Sequence, residues 1–247
     1  MLSKSQISFI KSLHQKKYRK ENGLFLVEGQ KSVQSFVNSS YQIQAIYHLA
    51  EKPAFFSQLR ANINLFELNN VELMKISALQ NPQDLVALVK IPETVSPSYI
   101  QFKNKFTLVL DGVQDPGNLG TIIRTADWFG IKNIVCSTDT VEAYNPKTVQ
   151  ATMGSLASIN IYYTDLLGFL TEVEQPIFGA FLEGKSIYKT KFGTEGFIVL
   201  GNEGNGISSE IIKKIVNRVT IPKIGEAESL NVAISAAIFC AEIARGD

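Results

Sequence analysis

The feature that most constrains the fold of this chain is a regular alternation of short apolar runs with helical patterns in its C-terminal half. From Phe106 onward the runs FTLVL, NIVCS, INIYY, IFGAFL and FIVL follow one another, each separated from the next by a loop or a helical segment. Strands this apolar, connected by helices, are typical of a mostly parallel sheet that is covered on both faces. We therefore expect a C-terminal α/β domain over residues 106–247.

The N-terminal part shows the same alternation on a smaller scale. The runs LFLVE, IQAIYHL, INLFEL and LVALVKI alternate with helical patterns, which predicts a smaller α/β domain over residues 1–95. Between the two series lies the polar stretch PETVSPSYIQFKNK, which contains two prolines and little periodicity. We expect a linker over residues 96–105 and a two-domain α/β protein.

Composition narrows the function classes. The chain has 247 residues, of which 45% are hydrophobic and 19% are charged, so it can bury a substantial core. No apolar run approaches the roughly 20 residues of a membrane helix, and the N-terminus lacks the apolar core of a signal peptide. The two cysteines, Cys136 and Cys240, lie far apart without a CxxC spacing. This pattern favours buried, reduced thiols in a cytoplasmic protein and no metal site.

Charge is concentrated at the start of the chain. Residues 1–20 carry six Lys and Arg residues and no acidic residue. Such a cluster can lie along the phosphates of a nucleic acid, where each neutralised charge releases a counterion. It is equally consistent with the solvated face of a helix, and charge alone does not decide between the two.

The loop after the first C-terminal strand carries the first candidate chemistry, in the segment DGVQDPGNLGTIIRTADWFG. Asn118 follows a Pro-Gly turn and is expected to be the N-cap of the next helix. At about 100° per residue, Arg124 projects about 160° from the centre of that helix's apolar face, with Gly120 on the same side. Arg124 is either a functional cation held by a buried helix or a solvated surface residue, and the pattern leaves both readings open.

Two further loops close the chain. FIVLGNEGNGIS has the glycine order G-x-x-G-x-G and contains Glu203, which would repel a pyrophosphate and so argues against a nicotinamide cofactor. Ser229 is expected to be the N-cap of the last helix, and Asn231 is a polar residue at its start. Beyond Asn231 that helix is apolar nearly all round, so we expect it to be buried in the fold or against a second subunit.

Three segments in this order, NLGTIIR, FIVLGNEGNGIS and IPKIGEAESLNVAISAA, resemble the three motifs of the SpoU/TrmH family. These are SPOUT-class RNA ribose 2′-O-methyltransferases, and the resemblance covers about residues 106–245. The segment LFLVEGQKSV resembles the ribosomal-protein-like substrate-binding domain of the rRNA-modifying branch.

The resemblance implies S-adenosylmethionine as cofactor, a deep trefoil knot in the catalytic domain and a homodimer formed through that domain. It implies catalytic positions at Asn118, Arg124, Glu203, Ser229 and Asn231. It implies cofactor contacts at Leu200, Gly201, Gly206, Ile221 and Leu230. For RNA, the basic N-terminus and the second resemblance together suggest Lys16, Lys17, Arg19, Lys20 and Glu28.

The activity implied is methylation of a ribose 2′-hydroxyl. The separate N-terminal domain and its basic start favour 23S-type rRNA over tRNA. Both histidines, His14 and His48, lie in the first domain. A guanidinium with a pKa above about 12 is a poor base, so we expect Arg124 to act as a phosphate clamp. The competing classes are a non-catalytic RNA-binding or assembly factor on the same fold and a nucleotide-dependent oxidoreductase.

Overall fold

A computed structural model describes residues 2–50, 54–59, 63–93, 97 and 99–246 of the chain. It forms two compact units: Met1–Glu93 together with Ala143–Ala157, and Thr94–Glu142 together with Ser158–Asp247. Both units are α/β, as the sequence predicts. No helix in the described ranges is long and apolar enough to cross a membrane.

The N-terminal unit is built on a four-stranded mixed sheet of order β1-β4-β2-β3. β1 and β2 both pair antiparallel with β4, and β2 pairs parallel with β3. Its strands are β1 Leu24–Glu28, β2 Ile43–His48, β3 Asn64–Glu67 and β4 Leu85–Lys90. Its helices are α1 Lys4–Ser12, α2 Lys16–Asn22, α3 Gln30–Val37 and α4 Asn70–Ile76, with a 3-10 turn at Ala54–Gln58. Residues 51–53 and 60–62, on either side of that turn, lie outside the described ranges.

The segment Ala143–Ala157 packs with the N-terminal unit, although the sequence places it within the second domain. It contains helix α6, Pro146–Ala151. The ring of Tyr144 lies 4.7 Å from that of Phe25, and its hydroxyl lies 3.4 Å from the hydroxyl of Tyr41. The contact between the Tyr144 and Phe25 rings joins this segment to β1, a strand far away in sequence, and α6 also lies against β1. The domain ranges 1–95 and 106–247 themselves stay predictions.

The second unit is built on a six-stranded sheet of order β10-β8-β9-β5-β6-β7, in which every neighbouring pair is parallel. The expected mostly parallel sheet is therefore confirmed. Its strands are β5 Phe106–Leu110, β6 Asn133–Ser137, β7 Asn160–Thr164, β8 Ile177–Ser186, β9 Gly196–Leu200 and β10 Asn217–Thr220. Its helices are α5 Pro116–Trp128, α7 Leu166–Glu172, α8 Ser209–Ile212 and α9 Val232–Arg245.

Helices cover this sheet as expected for an open α/β domain. α9 packs against α5, and α7 packs against α8. Because α9 lies on α5, more of α5 is covered than its apolar pattern indicates, and Gly120, which was expected to face away from the core with Arg124, is buried. α9 itself is not buried all round: Ala236 and Phe239 are fully buried, whereas Ile234 is 49% exposed. One side of the last helix therefore faces outward in the single chain.

The linker expected at residues 96–105 stays a prediction. Residues 96 and 98 lie outside the described ranges, but Tyr99–Phe102 forms a 3-10 turn. Phe102 is 1% exposed and its ring lies 5.5 Å from Phe169 and 5.6 Å from Phe197. This end of the stretch is thus part of the core of the second unit, because its aromatic side chains fill the space beside β9 and α7.

Both cysteines are free and buried, as the sequence predicts. Burial raises the pKa of the Cys240 thiol to about 12 and raises that of Cys136 as well, so neither is a thiolate near neutral pH.

Candidate active site

The candidate site lies at the carboxyl ends of β5 and β9, where open α/β sheets bind their ligands. The loops that follow these two strands are tied together by hydrogen bonds. The Asp111 N–H donates to the Leu200 carbonyl at 2.9 Å, and the Ser208 N–H donates to Asp111 Oδ2 at 2.7 Å. Asn202 Nδ2 donates to the Gly112 carbonyl at 2.6 Å. The two loops therefore form one connected surface.

The glycine-rich loop is folded by its own backbone. Asn202 and Gly206 exchange two backbone hydrogen bonds, of 2.9 and 3.0 Å, and Asn202 Oδ1 accepts from the N–H groups of Gly204 and Asn205. A Cβ at Gly201 would lie 2.1 Å from the Gly206 carbonyl carbon. The sequence led us to expect these glycines to admit a ligand. The structure shows that Gly201 is needed first by the loop itself, and that Gly206 adopts the left-handed conformation with φ +68°.

Three of the five predicted catalytic residues form a hydrogen-bonded chain. Asn118 Nδ2 donates to Glu203 Oε1 at 2.9 Å, and Asn231 Nδ2 donates to Asn118 Oδ1 at 3.0 Å. The three side chains come from α5, the glycine-rich loop and the start of α9, so the fold brings together positions 85 and 113 residues apart. An amide that both donates and accepts in this way is held in one orientation.

The two helix caps differ from the expected ones. Asp115, not Asn118, is the N-cap of α5, because Pro116 occupies the first helical position and Asp115 Oδ1 accepts from the Asn118 N–H at 2.8 Å. Asn231, not Ser229, is the N-cap of α9, and its Oδ1 accepts from the N–H groups of Ala233 and Ile234. The Asn118 side chain is therefore available for contacts beyond its own helix.

Glu203 is anchored from several directions. Besides Asn118 Nδ2, its carboxylate accepts the backbone N–H groups of Gln114 at 3.2 Å and Asp115 at 3.3 Å. Partial burial tends to raise the pKa of the Glu203 carboxyl. The hydrogen bonds from Asn118 and the backbone outweigh that effect and lower the pKa below its ordinary value. Glu203 is thus an ionised residue that fixes the start of α5.

Arg124 is not part of the hydrogen-bonded chain that Asn118, Glu203 and Asn231 form. It is exposed on α5, and no hydrogen bond or ion pair holds its guanidinium among the residues that the structure describes. It lies six residues after Asn118, which is about 9 Å along the helix axis and about 120° around it. Within the described residues Glu203 therefore contacts Asn118 and not Arg124.

The segment between β10 and α9 is open. Residues 222–231, including Ser229 and Leu230, are exposed, and Ile224 is 99% exposed. Within the described part of the chain, no backbone hydrogen bond is made by residues 222–230. Its unpaired peptide groups and the 47% exposed side chain of Leu230 could be covered by a ligand that has both polar and apolar parts.

The predicted RNA contacts of the N-terminal unit divide into two groups. Lys16, Lys17 and Lys20 are exposed on α2. Arg19 is 2% exposed, and its Nη1 donates to the carbonyls of Leu13 and His14 at 2.8 Å, so its prediction as an RNA contact is wrong: it joins α2 to the end of α1.

Glu28 is also used within the N-terminal unit. Its carboxylate accepts from the Ser77 hydroxyl and, at 2.8 Å, from the Ala78 N–H. Its contacts are those of a residue that holds the end of α4 near β1, and a contact with RNA is not needed to explain it.

Sequence reasoning missed two residues that hold the loops together, Asp111 and Gln114. Gln114 Nε2 donates to the Asp139 carbonyl at 2.7 Å, which ties the loop after β5 to the one after β6. Their position in the sequence could have indicated them, since each follows the last residue of a strand by no more than four residues. No group of three or more potential metal ligands occurs in the described ranges.

Comparison with known proteins gives two matches to family models. Residues 105–241 match the SpoU rRNA Methylase family, and residues 4–87 match the MRM3-like substrate binding domain. A curated relative from Bacillus subtilis, named 23S rRNA (guanosine(2553)-2'-O)-methyltransferase RlmP, is 32% identical over 233 residues, which is 93% of this chain and 92% of the relative.

Two solved structures are similar over nearly the whole chain. A putative RNA methyltransferase of the TrmH family from Porphyromonas gingivalis is 39% identical, with a TM-score of 0.87 and coverage of 98% of both chains. An AdoMet-bound rRNA methyltransferase from Sinorhizobium meliloti is 28% identical, with a TM-score of 0.88 and coverage of 99% of this chain and 96% of the other.

Proposed function

The chain belongs to the SpoU rRNA methylase family, and on this basis we propose that it methylates a ribose 2′-hydroxyl of 23S-type rRNA with S-adenosylmethionine. The observation that carries the proposal is the hydrogen-bonded chain of Glu203, Asn118 and Asn231 at the sheet's carboxyl edge. It is an ordered polar arrangement, built from three distant segments, that the fold alone does not require. Because the substrate would be ribosomal RNA, we place the protein in the cytoplasm.

The cofactor would bind between the loop after β9 and the open segment after β10. The residues present fit it: Ile221 and Leu230 offer apolar contacts to an adenine ring, and the unpaired backbone groups of residues 222–230 offer hydrogen bonds. Leu200, whose side chain is 1% exposed, would contribute its backbone. The left-handed Gly206 shapes the loop that carries Glu203. Bound there, S-adenosylmethionine supplies a methyl group on a sulfonium, which is a good leaving group.

The residues of this chain would then orient the ribose and manage its proton. Asn118, fixed by Glu203 on one side and Asn231 on the other, is placed to position a polar group of the substrate. Arg124 would bind the phosphate next to the methylated ribose, since a guanidinium forms paired hydrogen bonds with phosphate oxygens. The 2′-hydroxyl proton would pass to phosphate or water. Ser229 would contact the ribose or the methionine end.

We further propose that the site is completed in a homodimer. The outward faces of α5 and α9 expose large apolar side chains: Trp128 is 84% exposed and Ile234 is 49% exposed. Exposed apolar surface of this kind favours a subunit interface. Arg124 lies on the same outward face of α5 as Trp128, one helical turn away. Both side chains would therefore contact a partner subunit that packs on this face. We also propose that the catalytic domain contains the deep trefoil knot that the family suggests.

The proposal is tested by mapping 2′-O-methylation in total RNA from cells with and without the gene. Loss of one modification in 23S rRNA is the expected result. Loss of a tRNA modification would instead favour the tRNA alternative. If no modification is lost, and calorimetry detects no binding of S-adenosylmethionine, the chain is a non-catalytic RNA-binding or assembly factor on the same fold.

A further inference from the structure

The N-terminal unit contains a cleft of about 700 Å³ that takes no part in the proposed methyl transfer. It opens where β2 and β3 end and β4 begins. Its apolar floor comes from Leu49, Leu68 and Leu85. Its polar lining comes from Gln30, Glu67, Asn69, Asn70, Gln83 and Asp84.

The cleft is preformed by the core of the unit. Leu85 is 1% exposed and Leu68 is 5% exposed, so the floor is continuous with the packed interior. The Leu68 N–H donates to the His48 carbonyl at 2.8 Å, and the Leu49 N–H donates to the Asp84 carbonyl at 3.2 Å. These bonds hold three chain segments at fixed separations around the opening, so a ligand would meet a shape that already exists.

The polar side chains around the opening are free to bind. Among the described residues, no hydrogen bond or ion pair is made by the side chains of Gln30, Glu67, Asn70, Gln83 or Asp84. Amide side chains can each donate and accept, whereas the two carboxylates only accept. The lining therefore suits a flat polar ligand that presents N–H donors at its edge and an apolar face to the leucines.

The described lining of the cleft favours a ligand with hydrogen-bond donors over a phosphate. Glu67 and Asp84 are its only ionisable groups among the described lining residues, and both are acidic residues. The exposed cations of α2, Lys16, Lys17 and Lys20, do not line the cleft. Proteins commonly position nucleic acids through phosphate contacts and read them through base contacts made elsewhere.

We propose that this cleft receives one unstacked nucleobase of the RNA substrate, with the base edge hydrogen-bonded to the carboxylates and amides and the ring face against the leucines. Sequence-specific binding of RNA relies on such splayed bases, whose edges and faces are both accessible. A base that carries N–H donors fits best, because the carboxylates need donors. The inference rests on the proposed function only in taking RNA as the substrate.

The test uses the full-length protein and a 23S rRNA transcript. The double variant Asn70→Ala/Gln83→Ala removes two base-edge partners, and Glu67→Gln removes one charge while keeping the shape. Gln42→Ala is the matched control, since Gln42 is exposed next to the opposite end of β2, about 20 Å away at 3.3 Å per residue. The dissociation constant of the RNA is measured over a range of salt concentrations, and thermal unfolding of each variant confirms that it is folded.

We expect the double variant to bind RNA about tenfold or more weakly, with an unchanged dependence on salt, because the lost contacts are to a base and release no counterion. Glu67→Gln should weaken binding in the same way, and Gln42→Ala should have no effect. Wild-type affinity in both cleft variants would overturn the proposal. So would weaker binding accompanied by a shallower salt dependence, which would indicate a phosphate site.

Methyl transfer from labelled S-adenosylmethionine, measured in parallel, separates this inference from the proposed function. The double variant should need more RNA to reach half-maximal rate but retain the wild-type kcat at saturating RNA. If the wild-type protein binds the transcript without methylating any RNA, the proposed function fails, and the comparison of dissociation constants still decides whether the cleft reads a base.

Discussion

Replacing Asn118 with Asp tests the hydrogen-bonded chain at the centre of the candidate site. The two side chains have the same shape, so the introduced aspartate keeps the oxygen that accepts from Asn231 Nδ2 at 3.0 Å. It replaces the nitrogen that donates to Glu203 Oε1 at 2.9 Å with a second carboxylate oxygen. The substitution thus converts one attraction into a repulsion and leaves the other contact in place.

The size of the effect follows from the charges. Two carboxylates whose charge centres are about 4 Å apart repel by about 1 kcal/mol at the dielectric constant of water and about 4 kcal/mol at an effective constant of 20. Glu203 is largely exposed, so we expect the lower part of that range, about 1–2 kcal/mol, as a loss of unfolding free energy. Displacement of the side chain at position 118 should lower kcat by about tenfold to a hundredfold near neutral pH.

The dependence on pH identifies the cause. In the wild-type protein the pKa of Glu203 is lowered, so its contribution to stability is present above the ordinary range of a glutamate and is lost as the pH falls through the folded-state pKa. In the Asp variant the repulsion raises the pKa of the pair above that in the unfolded chain. Its penalty is therefore full at high pH and is relieved as the pH falls and one carboxyl takes up a proton.

Melting temperature and kcat are measured for Asn118→Asp, Asn118→Ala and wild type between about pH 5 and pH 8. The difference between Asp variant and wild type should shrink toward the acidic end, whereas the Ala variant, which loses both bonds without adding a charge, should show no such recovery. A deficit of the Asp variant that is constant across this range, or equal to that of the Ala variant, would refute the geometry described for Glu203 and Asn118.

Three further substitutions test other parts of the account. Gly201→Ala should open the glycine-rich loop, since the added Cβ would lie 2.1 Å from a backbone atom, and calorimetry should then detect no binding of S-adenosylmethionine. Gly204→Ala is the control and should bind normally, because the atom nearest to its added Cβ is 3.6 Å away. Normal binding by both variants would show that the loop is not part of the cofactor site. Arg19→Ala should lower the free energy of unfolding, measured in urea, by about 2–3 kcal/mol and leave the salt dependence of RNA binding unchanged. Lys20→Ala should leave stability unchanged and reduce the slope of log K against log salt concentration by about one. The reverse pattern would contradict the structural role of Arg19 and the RNA contact of Lys20. Arg124→Lys should lower kcat by about a hundredfold with an unchanged melting temperature, because Lys cannot make the paired contact with phosphate, and near-normal turnover would rule out the clamp.

The sequence predicts the sheets well because its signal is local. β9 is apolar on both faces, and β5 departs from this pattern only at the buried Thr107, because strands covered by helices on both faces are mostly apolar. The order of strands is not local, and the placement of β4 between β1 and β2 depends on pairings that no single segment specifies. The packing of Tyr144 on Phe25 is missed for the same reason.

The resemblance names three residues that the structure brings together, but it does not predict the hydrogen bonds among them. The motifs identify Asn118, Glu203 and Asn231, yet sequence reasoning assigns the cap of α5 to Asn118 because Asn is a good N-cap. The structure gives the cap to Asp115, since Pro116 fixes where the helix begins, and Asn118 becomes the centre of a tertiary contact. Arg19 fails in the opposite sense: its charge suggests RNA, but its burial against the end of α1 is invisible in a one-dimensional pattern.

The most direct test of the central claim is methyl transfer by the purified protein. The full-length chain is incubated with tritiated S-adenosylmethionine and unmodified 23S rRNA, the RNA is digested to nucleosides, and the labelled product is identified by chromatography and mass spectrometry. The account predicts a single 2′-O-methylated nucleoside, formed by the wild-type protein and reduced about a hundredfold by Arg124→Lys. Label on a base, or no label in RNA that the protein demonstrably binds, would contradict it.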